Sequence, residues 1–330
     1  MLYKNILITG GAGFIGSNLI ELIVDKYPLT RIINLDLLTY ASDLSRLKTI
    51  KNRANYHFIE GDINNDIFVK SIFQKYQIEA VIHLAAESHV DNSIKRPRIF
   101  FETNVLGSQN LMNNAYNHWQ LSPGVLKESY QKAKFIHVST DEVYGSLSKE
   151  GYFTEKSPYA PNSPYSASKA SSDMVARSYY QTFGFPVIVT NCSNNYGQYQ
   201  HSEKVIPTII RCALEDKVIP IYGSGLQVRD WLYVKDHCLA LEKVLLEGKA
   251  GEKYNIGGGN EFSNIDLAKK ICASLQKIKP RPRAYLDNIV HVADRAGHDF
   301  RYAIDNSKIK KDLNWSPKFS FDQCLTETIG

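Results

Sequence analysis

Between residues 5 and 191 the chain carries six short runs of apolar, mostly β-branched residues: "NILIT" (5–9), "RIINLD" (31–36), "YHFIEGD" (56–62), "AVIHLA" (80–85), "KFIHVST" (134–140) and "PVIVTN" (186–191). They are continuous rather than alternating, which predicts strands buried on both faces. Amphipathic stretches at 14–27, 64–76, 99–118 and 165–183 separate them. Strand and helix in turn predict an α/β fold with a doubly wound parallel sheet, whose ligands bind beyond the carboxyl ends of the strands. After about residue 195 the alternation degrades. "GQYQHSEKVIP" and "PIYGSGLQVRDW" read as loops, "VKDHCLALEKVLLEG" as a helix, "KYNIGGG" as a short strand, and 263–275 as a helix capped by Ser263 or Asn264.

This pattern divides the chain into a first domain, 1–193, to which 228–257 returns, and a smaller C-terminal α/β substrate domain, 194–227 with 258–330. A length of 330 residues suits that division. The 39 basic and 34 acidic residues leave a net charge of +5 that is not clustered, so no nucleic-acid partner is expected. No window approaches the ~20 apolar residues of a membrane helix, and "MLYKNILITGG" lacks the form of a signal peptide. Five scattered cysteines, without a C-x-x-C pair, point to reduced thiols in a cytoplasmic setting rather than to disulfides or zinc.

Chemistry enters with "TGGAGFIG" (9–16), between the first strand and the first helix. Gly10, Gly13 and Gly16 let the backbone turn tightly and approach a pyrophosphate at the helix N-terminus. Asp36, 20 residues past Gly16, suits ribose hydroxyls and repels a 2′-phosphate. The expected cofactor is therefore NAD, on a Rossmann-type domain. Asp62, in "GDI", reads equally as an adenine contact or as a turn residue. "YSASK" places Tyr165 and Lys169 four apart, on one face of a helix. An ammonium beside a phenol lowers the phenol's pKa and makes it a usable base. With NAD, that pair predicts alcohol oxidation.

The strand at 134–140 ends in "STDEVYG", with Asp141 and Glu142 side by side. Ser139 and Glu142 have the spacing of a capping box, so a helix start is one reading. Paired acid and base catalysis is the other. His83 and His89 lack any second cluster with ligand spacing, so they read as buried, satisfied histidines, and no metal is expected.

The segments "TGGAGFIGSN", "HLAAESHVDNSI", "FFETNVLGSQNL", "STDEVYG", "SPYSASKASSD", "NCSNNYGQYQ", "EKVIP", "PIYGSG", "RDWLYVKDH", "YNIGGGNEFSN" and "RAGHDFRYAID" occur in order from Gly10 to about Leu325. By them the chain resembles the extended short-chain dehydrogenases/reductases that act on nucleotide sugars, and within these the 4,6-dehydratases. The resemblance implies oxidation of dTDP-glucose at C4, elimination of water across C5–C6, and return of hydride from a tightly bound NAD to C6. UDP-glucose as substrate, or an epimerase reaction, is the alternative. Related epimerases have small residues in place of the acids, and related decarboxylases usually carry only the glutamate.

The resemblance implies that Tyr165 is the base on the C4 hydroxyl, tuned by Lys169, and that Thr140 holds that hydroxyl. Asp141 would protonate the departing C6 hydroxyl and Glu142 would take the C5 proton. Cofactor contacts would come from Gly10, Gly13, Phe14, Ile15, Gly16, Asp36, Leu37, Thr39, Asp62, Ile63, Leu84, Ala85, Ala86, Ser88, Thr103, Tyr165, Lys169 and Asn195. Substrate contacts would come from Ser88, Thr140, Asn194, Lys204, Val205, Pro220, Tyr222, Arg229, Asn264, Arg295 and His298. A homodimer is implied, through helices near 99–118 and 165–183. For Arg229 the bland reading is a structural pair with Asp230 or Asp236, for Tyr222 a core position, and for Lys204 a solvated surface.

The chain departs from the pattern at Gln198, His201, Ser202, Ala296, Leu37 and Gly259. These changes fall in the nucleotide-binding loops and bear on the base rather than on the chemistry. It also ends short of the last helix turns usual in the family.

Overall fold

The computed structural model describes residues 3–294 and 298–330. A seven-stranded sheet organises it: β1 (Asn5–Thr9), β2 (Arg31–Asp36), β3 (Tyr56–Glu60), β4 (Ala80–His83), β5 (Lys134–Thr140), β6 (Val187–Cys192) and β7 (Lys253–Ile256). The order is β7-β6-β5-β4-β1-β2-β3, and every pairing is parallel. The runs are continuously apolar because both faces are covered. Ile6 and Ile8 point into one hydrophobic cluster and Leu7 into the other. The chain winds one way through β1–β3 and the other way from β4, so the crevice opens between β1 and β4.

The helix Phe14–Lys26 follows β1 and packs with Val234–Glu247 on one face of the sheet. The helix Pro164–Phe183 opens with Pro164 at its first position and a Ser163–Ser166 capping box, and closes on Gly184 in the left-handed region (φ 58°). It lies against β5 and β6.

The stretch read as one helix at 99–118 is three pieces: Pro97–Phe101, a π-helical turn Glu102–Gly107, and Ser108–Trp119. A side-chain clasp accompanies the π turn. Asn104 accepts from Glu87 N (2.8 Å) and donates to Glu87 O (3.0 Å), while Ser108 Oγ donates to Asn104 O (2.6 Å). Such turns are frequent at functional sites.

Beyond residue 193 the loop-rich reading needs correction. Val205–Leu214 is a helix, Ile219–Tyr222 pairs with Ile289–Val292, and Val228–Tyr233 pairs with both Asn194–Tyr196 and Glu261–Ser263. Of the segment 228–257, β7 joins the main sheet, while Val228–Tyr233 belongs to this smaller sheet. Ser263 caps the helix Asn264–Ile278, its hydroxyl accepting from Asp266 N. The five cysteines are free thiols, all buried.

Candidate active site

The glycine loop turns at the β1/β4 crevice. Gly10 has φ +70°, and a Cβ there would lie 2.6 Å from Ala85 N. A Cβ on Gly16 would lie 2.3 Å from Gly10 O. Gly13 starts the helix with no side-chain cap, so its first N–H groups face the crevice uncapped by the chain. Asp36, at the end of β2, accepts from Ala12 N (2.9 Å), Leu38 N (2.9 Å) and Ser42 Oγ (2.7 Å). It therefore braces the loop it faces. This bare backbone cradle beside an acid fits the pyrophosphate and ribose of a dinucleotide.

Phe14 and Ile15 begin the helix and are half-buried, Leu37 and Thr39 are exposed past β2, and Leu84, Ala85 and Ala86 run from β4 past Gly10. Asp62 makes a turn, its Oδ1 accepting from Asn64 N (2.8 Å) and Asn64 Nδ2 (3.0 Å), and Ile63 is buried beside it. Thr103 lies in the π turn. Asn195 donates to Ser193 O (2.9 Å) and its Oδ1 meets His237 Nδ1 (2.9 Å), so its side chain is held within the protein.

At the end of β5 the capping-box reading fails in its particulars. Ser139 stays in the strand, and Thr140 caps a single 3-10 turn, Asp141–Tyr144. Thr140 Oγ1 accepts from Glu142 N (3.3 Å) and donates to Asp141 Oδ1 (3.3 Å). Asp141 is 1 % exposed, and its Oδ2 has no hydrogen-bond partner among the described residues. Burial, followed by the nearby charges of Glu142 and Asp230, pushes its carboxyl well above the usual range, against the pull of Arg229. That shift favours the protonated carboxyl of Asp141, while Glu142 beside it is half-buried.

Tyr165 and Lys169 come from the first turns of the Pro164–Phe183 helix. Burial first, then Glu142, Cys192 and Asp141, pushes the Tyr165 phenol well up, moderated by a hydrogen bond with Thr140. The net direction is opposite to the lowering expected of an ammonium four residues away. The ammonium instead donates to Val138 O (2.8 Å) on β5, and burial lowers its own pKa.

On the other wall, Lys204 Nζ donates to Ser88 O (3.1 Å), tying the Val205 helix to the loop after β4. Arg229 donates to the carbonyls of Val228 (2.8 Å) and Asp299 (2.9 Å) and stacks on Tyr302 (4.2 Å). These are contacts to backbone and to an aromatic ring. Asn194 Oδ1 is buried without a partner among the described residues, an acceptor facing inward. Tyr222 is 42 % exposed at the end of its strand, which removes the core reading. Pro220 precedes it, Val205 is exposed, and Asn264 opens its helix. His298 Nδ1 lies 2.7 Å from Asp294 Oδ1. Arg295 and Ala296 lie outside the described residues.

His83 is buried between Thr9 Oγ1 (2.7 Å) and Ser108 Oγ (2.8 Å). His89 is only half-buried: it caps the helix Val90–Lys95 and sits 3.5 Å from Glu203. Among the described residues no group of three or more His, Cys, Asp or Glu side chains is arranged to hold a metal.

Sequence reasoning missed the groups behind the site: Asn104, Asp173, Asn191 and Tyr302. Asp173 had a signal, since it follows Lys169 by the same four residues that separate Lys169 from Tyr165.

The family model described as GDP-mannose 4,6 dehydratase matches residues 7–328. A dTDP-glucose 4,6-dehydratase of Xanthomonas campestris is 48% identical over 98% of this chain and 91% of its own length. The dTDP-glucose 4,6-dehydratase DesIV of Streptomyces venezuelae, solved with NAD and TYD bound, superposes with a TM-score of 0.90 at 42% identity over 98% of this chain and 95% of its own. The corresponding enzyme of Bacillus anthracis in complex with NAD gives 0.86 at 45% identity over 99% and 95%.

Proposed function

Because the chain belongs to the dTDP-glucose 4,6-dehydratase family of nucleotide-sugar enzymes, we propose that it is an NAD-dependent dehydratase converting dTDP-glucose to dTDP-4-keto-6-deoxyglucose. One observation carries this reading. Asp141, buried and with its carboxyl pushed well above the usual range, adjoins Glu142 at the end of β5, next to Thr140 and Tyr165. An elimination needs an acid and a base at neighbouring carbons, and this pair supplies both.

NAD held at the glycine cradle would supply the acceptor for the C4 hydride, the donor for C6, and a positive charge that favours the Tyr165 phenolate. Tyr165 takes the C4 hydroxyl proton while Thr140 holds that hydroxyl. The resulting ketone acidifies C5–H, so the Glu142 carboxylate removes that proton. The C6 hydroxyl is a poor leaving group, and it departs as water with the proton of Asp141. Glu142 then returns a proton to C5 as C6 receives hydride. One water is lost and the cofactor is regenerated, so NAD stays bound through turnover.

In this reading residues 1–193, with the returning 234–257, hold NAD. The remainder holds the sugar nucleotide, with Ser88, Asn194, Lys204, Arg229, Asn264, Arg295 and His298 around it and Tyr222 against the base. The protein acts as a cytoplasmic homodimer. Buried free thiols support the reducing compartment. Exposed Ile94, Ile99, Phe101, Leu106 and Met174 support a dimer through the helices around 97–119 and 164–183. Sedimentation as a monomer would count against the dimer.

The test is mass spectrometry of purified protein incubated separately with dTDP-glucose, UDP-glucose and GDP-mannose, with and without added NAD. Loss of one water from dTDP-glucose alone is expected. Intact mass in all three, with folded and NAD-loaded protein, would overturn the reading.

A further inference from the structure

Behind the Tyr165–Lys169 pair lies a polar cluster that the reaction as derived does not use. Asp173 follows Lys169 by one helical turn and is 3 % exposed. Its Oδ2 accepts from Tyr159 OH (2.7 Å) and from Asn191 Nδ2 (3.2 Å). Its Oδ1 lies 3.2 Å from His137 Nε2. That nitrogen is aligned on Ser172 Oγ (3.0 Å), and Oδ1 has no aligned donor among the described residues. A buried carboxylate oxygen left in this way is costly, on the order of 1–3 kcal/mol.

The connections lead to the site. Asn191 Nδ2, which Asp173 holds, also donates to Thr140 O (3.0 Å). Lys169 Nζ donates to Val138 O (2.8 Å), two residues earlier on the same strand. The helix is therefore fastened to the end of β5 by a lysine and, through Asn191, by an aspartate. That fixes where the Thr140 hydroxyl meets the Tyr165 phenol.

The titratable groups packed around Lys169 and Asp173 are His83, His137, Cys192, Tyr144, Tyr159 and Lys253. Burial keeps both histidines neutral and raises the Cys192 thiol to about 12. Asp173 is the ionised acid acting on Lys169. Burial pushes its carboxyl up, but His137, Lys169 and the Tyr159 hydroxyl outweigh that and hold it below the usual range.

We infer that Asp173 is a positioning residue of this active site: its carboxylate keeps Lys169 an ammonium on the Val138 carbonyl and, through Asn191, sets the Thr140 backbone. The inference deepens the dehydratase reading and rests on it for its catalytic consequence.

The test is a nitrogen-15 NMR titration of lysine-labelled, NAD-loaded protein, with the Lys169 signal assigned by its loss in Lys169→Met. Lys169 is expected to be charged at neutral pH. In Asp173→Asn its midpoint should fall by about one pH unit or more, the size of effect of a neighbouring opposite charge. Tyr159→Phe removes one hydrogen bond but keeps the carboxylate, and should leave the midpoint nearly in place. An unmoved midpoint in Asp173→Asn, or an equal shift in Tyr159→Phe, would overturn the inference. A neutral wild-type lysine at neutral pH would do so even if Asp173→Asn failed to fold. With dTDP-glucose, the alkaline limb of cofactor reduction should move down with the lysine midpoint. Wild-type protein that never reduces its cofactor would instead count against the dehydratase reading, and the lysine titration would still judge Asp173.

Discussion

Thr140 Oγ1 lies 3.3 Å from Asp141 Oδ1, so the residue that caps the turn also touches the buried acid. The same oxygen receives the backbone N–H of Glu142. One hydroxyl thus anchors the turn and touches the buried carboxyl, and it also hydrogen-bonds Tyr165.

Asp141→Asn is expected to slow water loss by ~10²–10⁴-fold, the usual reach of general acid catalysis. C4 oxidation should fall much less. Stopped-flow absorbance of reduced cofactor, set against product mass, separates the two steps. Equal loss in both would contradict a role confined to the leaving group.

The same variant should be more stable than the parent at neutral pH. Asp141 has a raised pKa when folded, so above about pH 4, the unfolded value, the unfolded chain releases this proton more readily. Its contribution to stability is present below the unfolded pKa and is lost as pH rises towards the folded one. Asparagine has no such proton. Thermal denaturation should show a higher Tm for Asp141→Asn at pH 7, with the gap closing below about pH 4. A gap independent of pH would refute the raised pKa.

Glu142→Gln should permit C4 oxidation and stall elimination, trapping reduced cofactor. Exchange of the C5 proton with deuterated solvent is the direct readout, expected to drop by ~10²–10⁴-fold. Wild-type exchange in this variant would remove Glu142 from the role of base.

Tyr165→Phe should abolish cofactor reduction on mixing with dTDP-glucose, while NAD remains bound. Residual reduction should be lower by ~10²–10⁴-fold. Unimpaired reduction would transfer the base role elsewhere.

Gly16→Ala places a methyl 2.3 Å from the Gly10 carbonyl oxygen, a backbone atom that cannot swing aside. Overpacking of this kind costs about 1–3 kcal/mol. A lower Tm together with loss of co-purified NAD is expected. A normal NAD content would argue that the cradle tolerates expansion.

The main sheet was legible because its strands are apolar runs buried on both faces, and β1, β2 and β5 match their sequence bounds. The strands Val228–Tyr233 and Asn194–Tyr196 were not, because polar residues such as Arg229, Asp230 and Asn194 interrupt them and their pairings are tertiary. The π turn was hidden for a similar reason: Glu87, which Asn104 clasps, is 17 residues away. At "STDEVYG" the motif was readable, but the capping residue was misplaced by one, because β5 runs through Thr140 and the turn begins only at Asp141. The coupling of Tyr165 to Lys169 was read from helical spacing, which fixes a shared face but not where a long side chain ends. Lys169 ends on Val138.

Five inward-facing thiols have a practical meaning for anyone wishing to watch this protein work. Burial raises those of Cys272 and Cys324 to about 11 and that of Cys192 to about 12, leaving little thiolate at neutral pH. All five are also buried, so a maleimide dye should react slowly with the native chain. A single cysteine introduced on the surface near Tyr222 would carry one fluorophore, and a change in its emission on adding the sugar nucleotide would test whether the base docks there, with no scrubbing of the native sequence.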